Sequence, residues 1–145
     1  MTIMLTRTER DTTDDAARHA PEPAPDPVVT VLGQPSRVAT LPQYLPHGWT
    51  MRRVDGLGAV AAGDLVLLSG ATTADVRLAR AALPAETRVI ALIDDGAPGE
   101  LVAGVLSAGA DVCVRGGHPA ILAGHLVACR RRQLTSRWAE VGLAS

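Results

Sequence analysis

Hydrophobic residues recur along this chain in two patterns, which are short continuous runs and stripes at helical spacing. The run 65–68 has no alternation of apolar and polar positions, which favours a strand covered on both faces at the centre of a parallel sheet. We therefore expect an α/β fold organised around this strand. In all, five segments are predicted as strands: 28–32, 49–54, 64–69, 88–93 and 111–115.

The first two connections between these strands carry weak helical signals. A helix is predicted to start at Ser36, but Pro42 removes a backbone hydrogen bond and makes this helix short, kinked or restarted at Thr40. The second connection, 56–63, leaves room for about two helical turns at most. Both connections are short enough to keep neighbouring strands close together.

The last three connections carry clearer helical signals. A helix over 72–83 opens with a capping-box motif, and a helix over 98–108 is ended by Gly109. The last helix is predicted to start with His118 as its cap and to finish at 130–132, where cations favour a helix end. The predicted inward-facing residues are Val76, Leu78, Ala79 and Leu83; Leu101, Val102, Val105 and Leu106; and Ile121, Leu122, Leu126 and Cys129.

Alternation of five strands with helices predicts right-handed crossovers and a doubly wound, three-layer sandwich around a parallel sheet. The same patterning divides the chain into an N-terminal arm (1–27), one domain (28–133) and a C-terminal tail or linker (134–145). The arm is acidic and rich in proline, so we expect it to be disordered, with a short helix near 14–19 as the alternative.

Composition narrows the class of protein. An apolar content of 47% and a formal net charge of −1 favour one domain with a substantial core and no general affinity for nucleic acid. The chain has no apolar window of membrane-spanning length and no apolar core of a signal peptide, so a cytoplasmic location is expected. Cys113 and Cys129 match no zinc spacing and are interpreted as buried apolar side chains. All 14 basic residues are arginine, and the chain contains no lysine.

The segments 64–68 and 88–92, together with Leu-Ser-Ala-Gly-Ala-Asp at 106–111, resemble the receiver domains of bacterial response regulators. The Ala-Gly-Ala-Asp before the fifth strand is the most specific part, and the resemblance covers about 28–133. It implies a flavodoxin-like (βα)5 fold with strand order 2-1-3-4-5. The arginine-rich composition without lysine also resembles that of a high-GC actinobacterium.

The receiver resemblance implies phosphorylation chemistry, and the matching positions lack the required groups. The acidic pair that holds Mg²⁺ falls on 33–35, which is Gly-Gln-Pro, and the phosphate-accepting aspartate falls on Ser69. The conserved hydroxyl residue of the family falls on Ile93, or on Asp94 if the register slips by one. The family's lysine falls on Gly116, preceded by Arg115.

These substitutions predict a pseudo-receiver, a regulatory module in bacterial signalling or transcription control that acts by protein contact without phosphorylation. We expect no enzymatic activity, no cofactor, no metal and no membrane partner, with nucleic acid bound only through an effector domain outside this chain. The alternative is a small-ligand or anion sensor that uses the vacated crevice, where arginine and helix N-termini supply positive potential. The candidate crevice residues are Gln34, Ser69, Gly70, Asp94, Arg115, Gly116 and His118.

The resemblance also implies a partner surface, since receivers of transcription factors commonly dimerise through the fourth helix, fifth strand and fifth helix. The predicted fifth strand is an edge strand with charges only at its ends, which leaves its centre apolar. We therefore expect a protein partner or a homodimer at this surface. The candidate residues of this dimer face are Ala103, Val112, Val114, Ala123 and Val127.

Two further motifs were weighed against this interpretation. Segment 56–61 matches the G-x-G-x-x-A dinucleotide pattern, but the next strand begins too soon for a crossover helix, so the match is interpreted as chance. Ser69, Asp94 and His118 could meet as a hydrolytic triad at the carboxyl edge of the sheet. The chain lacks G-x-S-x-G, so catalysis is not the favoured hypothesis.

Overall fold

A computed structural model describes residues 25–116 and 118–144, with side chains described as far as Ser136. Apart from 25–27, the predicted N-terminal arm lies outside the described residues. Five parallel strands form one sheet in the order β2-β1-β3-β4-β5, which confirms the flavodoxin-like prediction. The strands are β1 (Val28–Gly33), β2 (Thr50–Arg53), β3 (Leu65–Ser69), β4 (Val89–Ile93) and β5 (Val112–Arg115).

The central strand is β3, as its unbroken apolar run predicts. All five of its residues are buried, and β1 and β4 pair with it on either side. The register places Gly33 of β1 and Leu92 of β4 opposite Ser69. The carboxyl ends of these three strands therefore meet at one edge of the sheet.

Three α-helices follow the last three strands. Helix α1 begins with the predicted capping box, in which the Asp75 amide donates to the Thr72 hydroxyl (3.1 Å) and the Thr72 amide donates to the Asp75 carboxylate (2.9 Å). Gly109, with φ of +122°, ends α2 as predicted. The helices are α1 (Thr73–Ala82), α2 (Gly99–Ala108) and α3 (Pro119–Ala144).

The predicted end of α3 is wrong, because the helix continues beyond 130–132 to Ala144. Residues 133–141 contain neither glycine nor proline, so nothing in the sequence interrupts the backbone hydrogen bonds there. Arg130 is also buried rather than part of a solvated helix end.

The first two connections form no α-helix. Pro35–Val38 and Leu41–Tyr44 are separate 3-10 turns, with Thr40 at the start of the second, as the proline at position 42 predicts. Between β2 and β3, Leu57–Ala59 is a single 3-10 turn. Two of the five predicted helices are therefore reduced to 3-10 turns.

Apolar side chains form a core on each face of the sheet. One core lies between the sheet, α3 and the first two 3-10 turns, and it includes Val38, Leu41, Leu122 and Leu126. The other lies between the sheet, α1 and α2. None of the helices in the described part of the chain has the length and apolarity that crossing a bilayer requires.

Three residues predicted to face inward are instead exposed. Leu78 of α1 is 64% exposed, Leu106 of α2 is 43% exposed and Ile121 of α3 is 59% exposed. Each directly precedes or follows a fully buried residue in its helix, and consecutive helical residues differ by about 100° in direction. The buried stripe is therefore narrower than the apolar pattern of the sequence.

Helix α3 also fastens the amino end of the domain. The Arg130 guanidinium donates to the Pro25 carbonyl (2.8 Å) and to the Gln133 side-chain oxygen (2.7 Å). The Gln133 amide in turn donates to the carbonyl of Gly63 (3.2 Å). One helix turn thus connects the segment before β1 with the segment before β3.

Candidate functional site

Ser69 and Gln34 lie at the carboxyl edge, where β3 and β1 end, and they are joined by two hydrogen bonds. The Ser69 hydroxyl donates to the backbone carbonyl of Gln34 (2.7 Å), and the Gln34 amide donates to the Ser69 carbonyl (3.1 Å). We call this pair of bonds the Ser69–Gln34 clasp. It ties the loop after β1 to the end of the central strand.

Glycines on either side of the clasp allow the close approach of the two loops. Gly33 has φ of +94°, and a Cβ there would lie 2.2 Å from the Ser69 carbonyl oxygen. Gly70 has φ of +74°, and a Cβ there would lie 2.7 Å from the Gln34 side chain. The left-handed backbone conformation favours glycine at both positions, and at Gly33 the backbone of Ser69 also leaves no space for a side chain. These two glycines thus allow the backbone approach on which the clasp depends.

The clasp removes Ser69 from nucleophilic chemistry. Ser69 is only 3% exposed, and its hydroxyl donates to the Gln34 carbonyl oxygen rather than to a base. The positions that match the Mg²⁺ ligands of receivers do not fit that ion, because positions 33–35 supply no carboxylate and the Ser69 oxygen is engaged. The triad hypothesis gains no support, since His118 uses its Nδ1 to accept a hydrogen bond from the Ala120 amide (3.3 Å).

An ion pair that the sequence analysis missed crosses the same edge. The Arg37 guanidinium donates both to the side-chain oxygen of Gln34 and to the carboxylate of Asp94 in the loop after β4. Arg37 is thus a cation at this edge in addition to the predicted Arg115, which ends β5. Arg37 follows a predicted helix cap and carries no sequence signal of this long-range contact.

A half-open cleft of about 390 Å³ lies beside the clasp. Of the predicted crevice residues, Gln34, Ser69 and Gly70 line it, whereas Asp94, Arg115, Gly116 and His118 do not. The structure therefore does not assemble the predicted crevice as one site. The lining comprises Leu32, Gly33, Gln34, Asp55, Leu57, Leu68, Ser69, Gly70, Ala71, Asp75 and Leu78.

The remaining crevice residues lie elsewhere along the edge. Gly116 donates its amide to the Ile93 carbonyl (3.0 Å), and a Cβ there would lie 3.0 Å from the Asp95 carboxylate. The His118 ring stands edge-on to Tyr44 at 6.5 Å. Arg115 is exposed. An anion site combining Arg115 with the cleft is thus not formed, since the charged residues that line the cleft are both acidic.

The predicted dimer face is only partly available at the surface. Val114 and Ala123 are buried, and Val112 packs against the same core, so these three residues stabilise the domain itself. Alternate residues of β5 face α3, and one side of α3 faces the sheet, so these side chains lie in the core between them. Ala103 is exposed and Val127 is half-buried.

The two cysteines are free; Cys129 is fully buried as predicted, whereas Cys113, also predicted to be buried, is only half-buried. Burial raises the pKa of both thiols above the ordinary value, while Arg115 opposes the shift at Cys113 and Arg132 opposes it at Cys129. Both thiols are therefore protonated at neutral pH. Neither is prepared for nucleophilic chemistry.

Comparison with known proteins shows similarity in fold. No family model matches the chain, and the search of curated proteins gives no significant match. Among solved structures, the signal receiver domain of an HD domain-containing protein from Pseudomonas fluorescens Pf-5 is 16% identical, with a TM-score of 0.66 over 82% of this chain and 97% of that one.

Two further solved structures agree with this result. A protein assigned to pilus assembly (cpaE) from Burkholderia thailandensis E264 is 15% identical, with a TM-score of 0.56 over 72% of this chain and 97% of that one. A response regulator receiver protein from Pseudoalteromonas atlantica is 8% identical, with a TM-score of 0.55 over 71% of this chain and 96% of that one. The described domain therefore has the fold of receiver domains.

Proposed function

We propose that this protein is a pseudo-receiver, a regulatory module of bacterial signalling or transcription control that acts in the cytoplasm through protein contacts and without phosphorylation. The observation that carries the proposal is the Ser69–Gln34 clasp. It places a buried, hydrogen-bonded hydroxyl at the position where the receiver resemblance puts the phosphate acceptor.

The groups around the clasp support the proposal. A receiver needs carboxylates for Mg²⁺, whereas the loop after β1 presents the glutamine amide of Gln34. A receiver also needs a lysine after β5, and this chain contains none. Arg37 pairs with Asp94 across the edge, and that contact requires no phosphate. The chain thus keeps the receiver fold, and hydrogen bonds and an ion pair within the domain take the place of the groups that phosphorylation requires.

Contact with a protein partner requires an exposed apolar surface, and α2 and α3 supply candidates. Leu106 and Ile121 are large apolar side chains with substantial exposure, and they lie on the same two helices as Ala103 and Val127. The proposed contact face thus keeps Ala103 and Val127 of the predicted residues and adds Leu106 and Ile121. The partner is a second copy of the chain or another protein of the same signalling system.

The test is exposure of the full chain to Mg²⁺ with acetyl phosphate, and separately with beryllofluoride, followed by intact-mass analysis and amide hydrogen exchange. We expect no added phosphate and no change in exchange at the carboxyl edge. A phosphorylatable receiver treated in parallel is the control for the reagents. A stoichiometric phosphate on Ser69, or a Mg²⁺-dependent change in exchange there, would overturn the proposal.

A further inference from the structure

The cleft beside the clasp lies where the connection between β2 and β3 leaves one face of the sheet thinly covered. In that connection only Leu57–Ala59 is helical, so no α-helix follows β2 on this face of the sheet, beside α1. Leu32, Leu57 and the buried Leu68 line the cleft, and Leu78 is 64% exposed at its border. An apolar occupant would bury the exposed parts of Leu32, Leu57 and Leu78.

The charges at the cleft restrict what the occupant can be. Asp55 and Asp75 are the charged residues among those that line it, and both are exposed. Asp75 uses one carboxylate oxygen in the capping box. An occupant with apolar residues followed by a cation matches this lining, whereas an anion would be repelled.

This chain contains such a segment outside the described residues. Residues 1–10 hold the apolar cluster Ile3, Met4 and Leu5, followed by Arg7 and Arg10. We infer that the cleft binds residues 1–10 of the same chain, with the apolar cluster against the leucines and an arginine next to Asp55. The cleft is in this view an internal docking site for the N-terminal segment.

The connecting residues are long enough for this contact. The described chain starts at Pro25, which α3 holds near the amino end of β1, and the cleft lies at the carboxyl end of β1. That separation is about 26 Å for the eight residues from Pro25 to Gly33. The 14 residues 11–24 can span up to about 46 Å when extended, so they reach the cleft with slack.

The first experiment measures amide hydrogen exchange of residues 3–10 in the full chain and in two surface variants. Leu78→Glu alters the border of the cleft, and Tyr44→Glu is the control because Tyr44 is also a large exposed side chain (47%) but lies in the second 3-10 turn, on the opposite face of the sheet. We expect protection of residues 3–10 in the wild type, an approximately tenfold loss in Leu78→Glu and no loss in Tyr44→Glu.

The second experiment tests the charge contact by exchange of signs. Arg7→Glu and Asp55→Arg should each reduce the protection, and the double variant should restore it. Three outcomes would overturn the inference. Absence of protection in the purified wild type would leave the cleft to another protein or a small molecule. Loss of protection on dilution would indicate the segment of a second copy. Equal effects of Leu78→Glu and Tyr44→Glu would show that the cleft is not the binding site.

Discussion

At the scale of single residues, Ser69 shows how a buried position selects a neutral side chain. Ser69 is only 3% exposed, and a carboxylate there would lie next to the carbonyl oxygen of Gln34. Desolvation and repulsion by the carbonyl would both oppose the charged form. A hydroxyl instead donates to the carbonyl and stabilises the end of the central strand.

Ser69→Asp should therefore destabilise the domain more than Ser69→Ala does. We expect Ser69→Ala to lower the free energy of unfolding by about 0.5–1.5 kcal/mol through loss of one hydrogen bond, and Ser69→Asp by at least about 2 kcal/mol. Urea denaturation followed by circular dichroism measures both. Ser107→Asp on the exposed side of α2 is the control and should change little. An Asp variant as stable as the wild type would contradict burial of this side chain.

The buried thiol of Cys129 should make the free energy of unfolding depend on pH. Its pKa is raised by burial, so the unfolded state releases the thiol proton at lower pH than the folded state does. The contribution of the thiol to stability is then constant below the ordinary value of 9.0 and falls as pH rises above it. Stability measured on both sides of pH 9.0 should decline less in Cys129→Ala than in the wild type. Equal declines would refute the shift.

At the scale of elements, α3 packs on the sheet and also holds the amino end of the domain through the hydrogen bond from Arg130 to the Pro25 carbonyl. Arg130 is buried and holds the Pro25 carbonyl, whereas its neighbour Arg131 is exposed. We expect Arg130→Leu to lower the free energy of unfolding by about 1–3 kcal/mol, since it removes the donor from the Pro25 carbonyl and from the buried Gln133 side chain. Arg131→Leu is the matched control, with an effect within about 0.5 kcal/mol. Thermal or urea unfolding that shows equal losses would exclude the anchor.

The strands were predictable because their signal is local. The run 65–68 and the β-branched segment 28–31 identify β3 and β1 without any knowledge of partners. The clasp, the Arg37–Asp94 pair and the burial of Arg130 depend on contacts between residues far apart in sequence, which patterning does not encode. Leu78 lies at the border of the cleft, where the connection between β2 and β3 forms no α-helix, and only the three-dimensional arrangement shows this.

At the scale of the whole molecule, the exposed side chains of α2 and α3 predict self-association. If Leu106 and Ile121 lie in the contact face, Ile121→Glu should give a folded monomer while the wild type is a dimer at the same concentration. Light scattering measures the mass, and circular dichroism confirms the fold. Leu78→Glu, in α1 and outside the proposed contact face, is the control and should remain dimeric. A monomeric wild type would favour an adaptor that binds one partner molecule.

The connection between β2 and β3 also limits how the length of this protein can change. It consists of the 11 residues 54–64, close to the shortest crossover that joins two parallel strands of one sheet. Insertions there cost little, about 0.6 kcal/mol for each doubling of a flexible loop. A deletion of even a few residues would make the connection too short for β3 to pair with β1. Variants of this segment that fold will therefore have a connection of 11 residues or more.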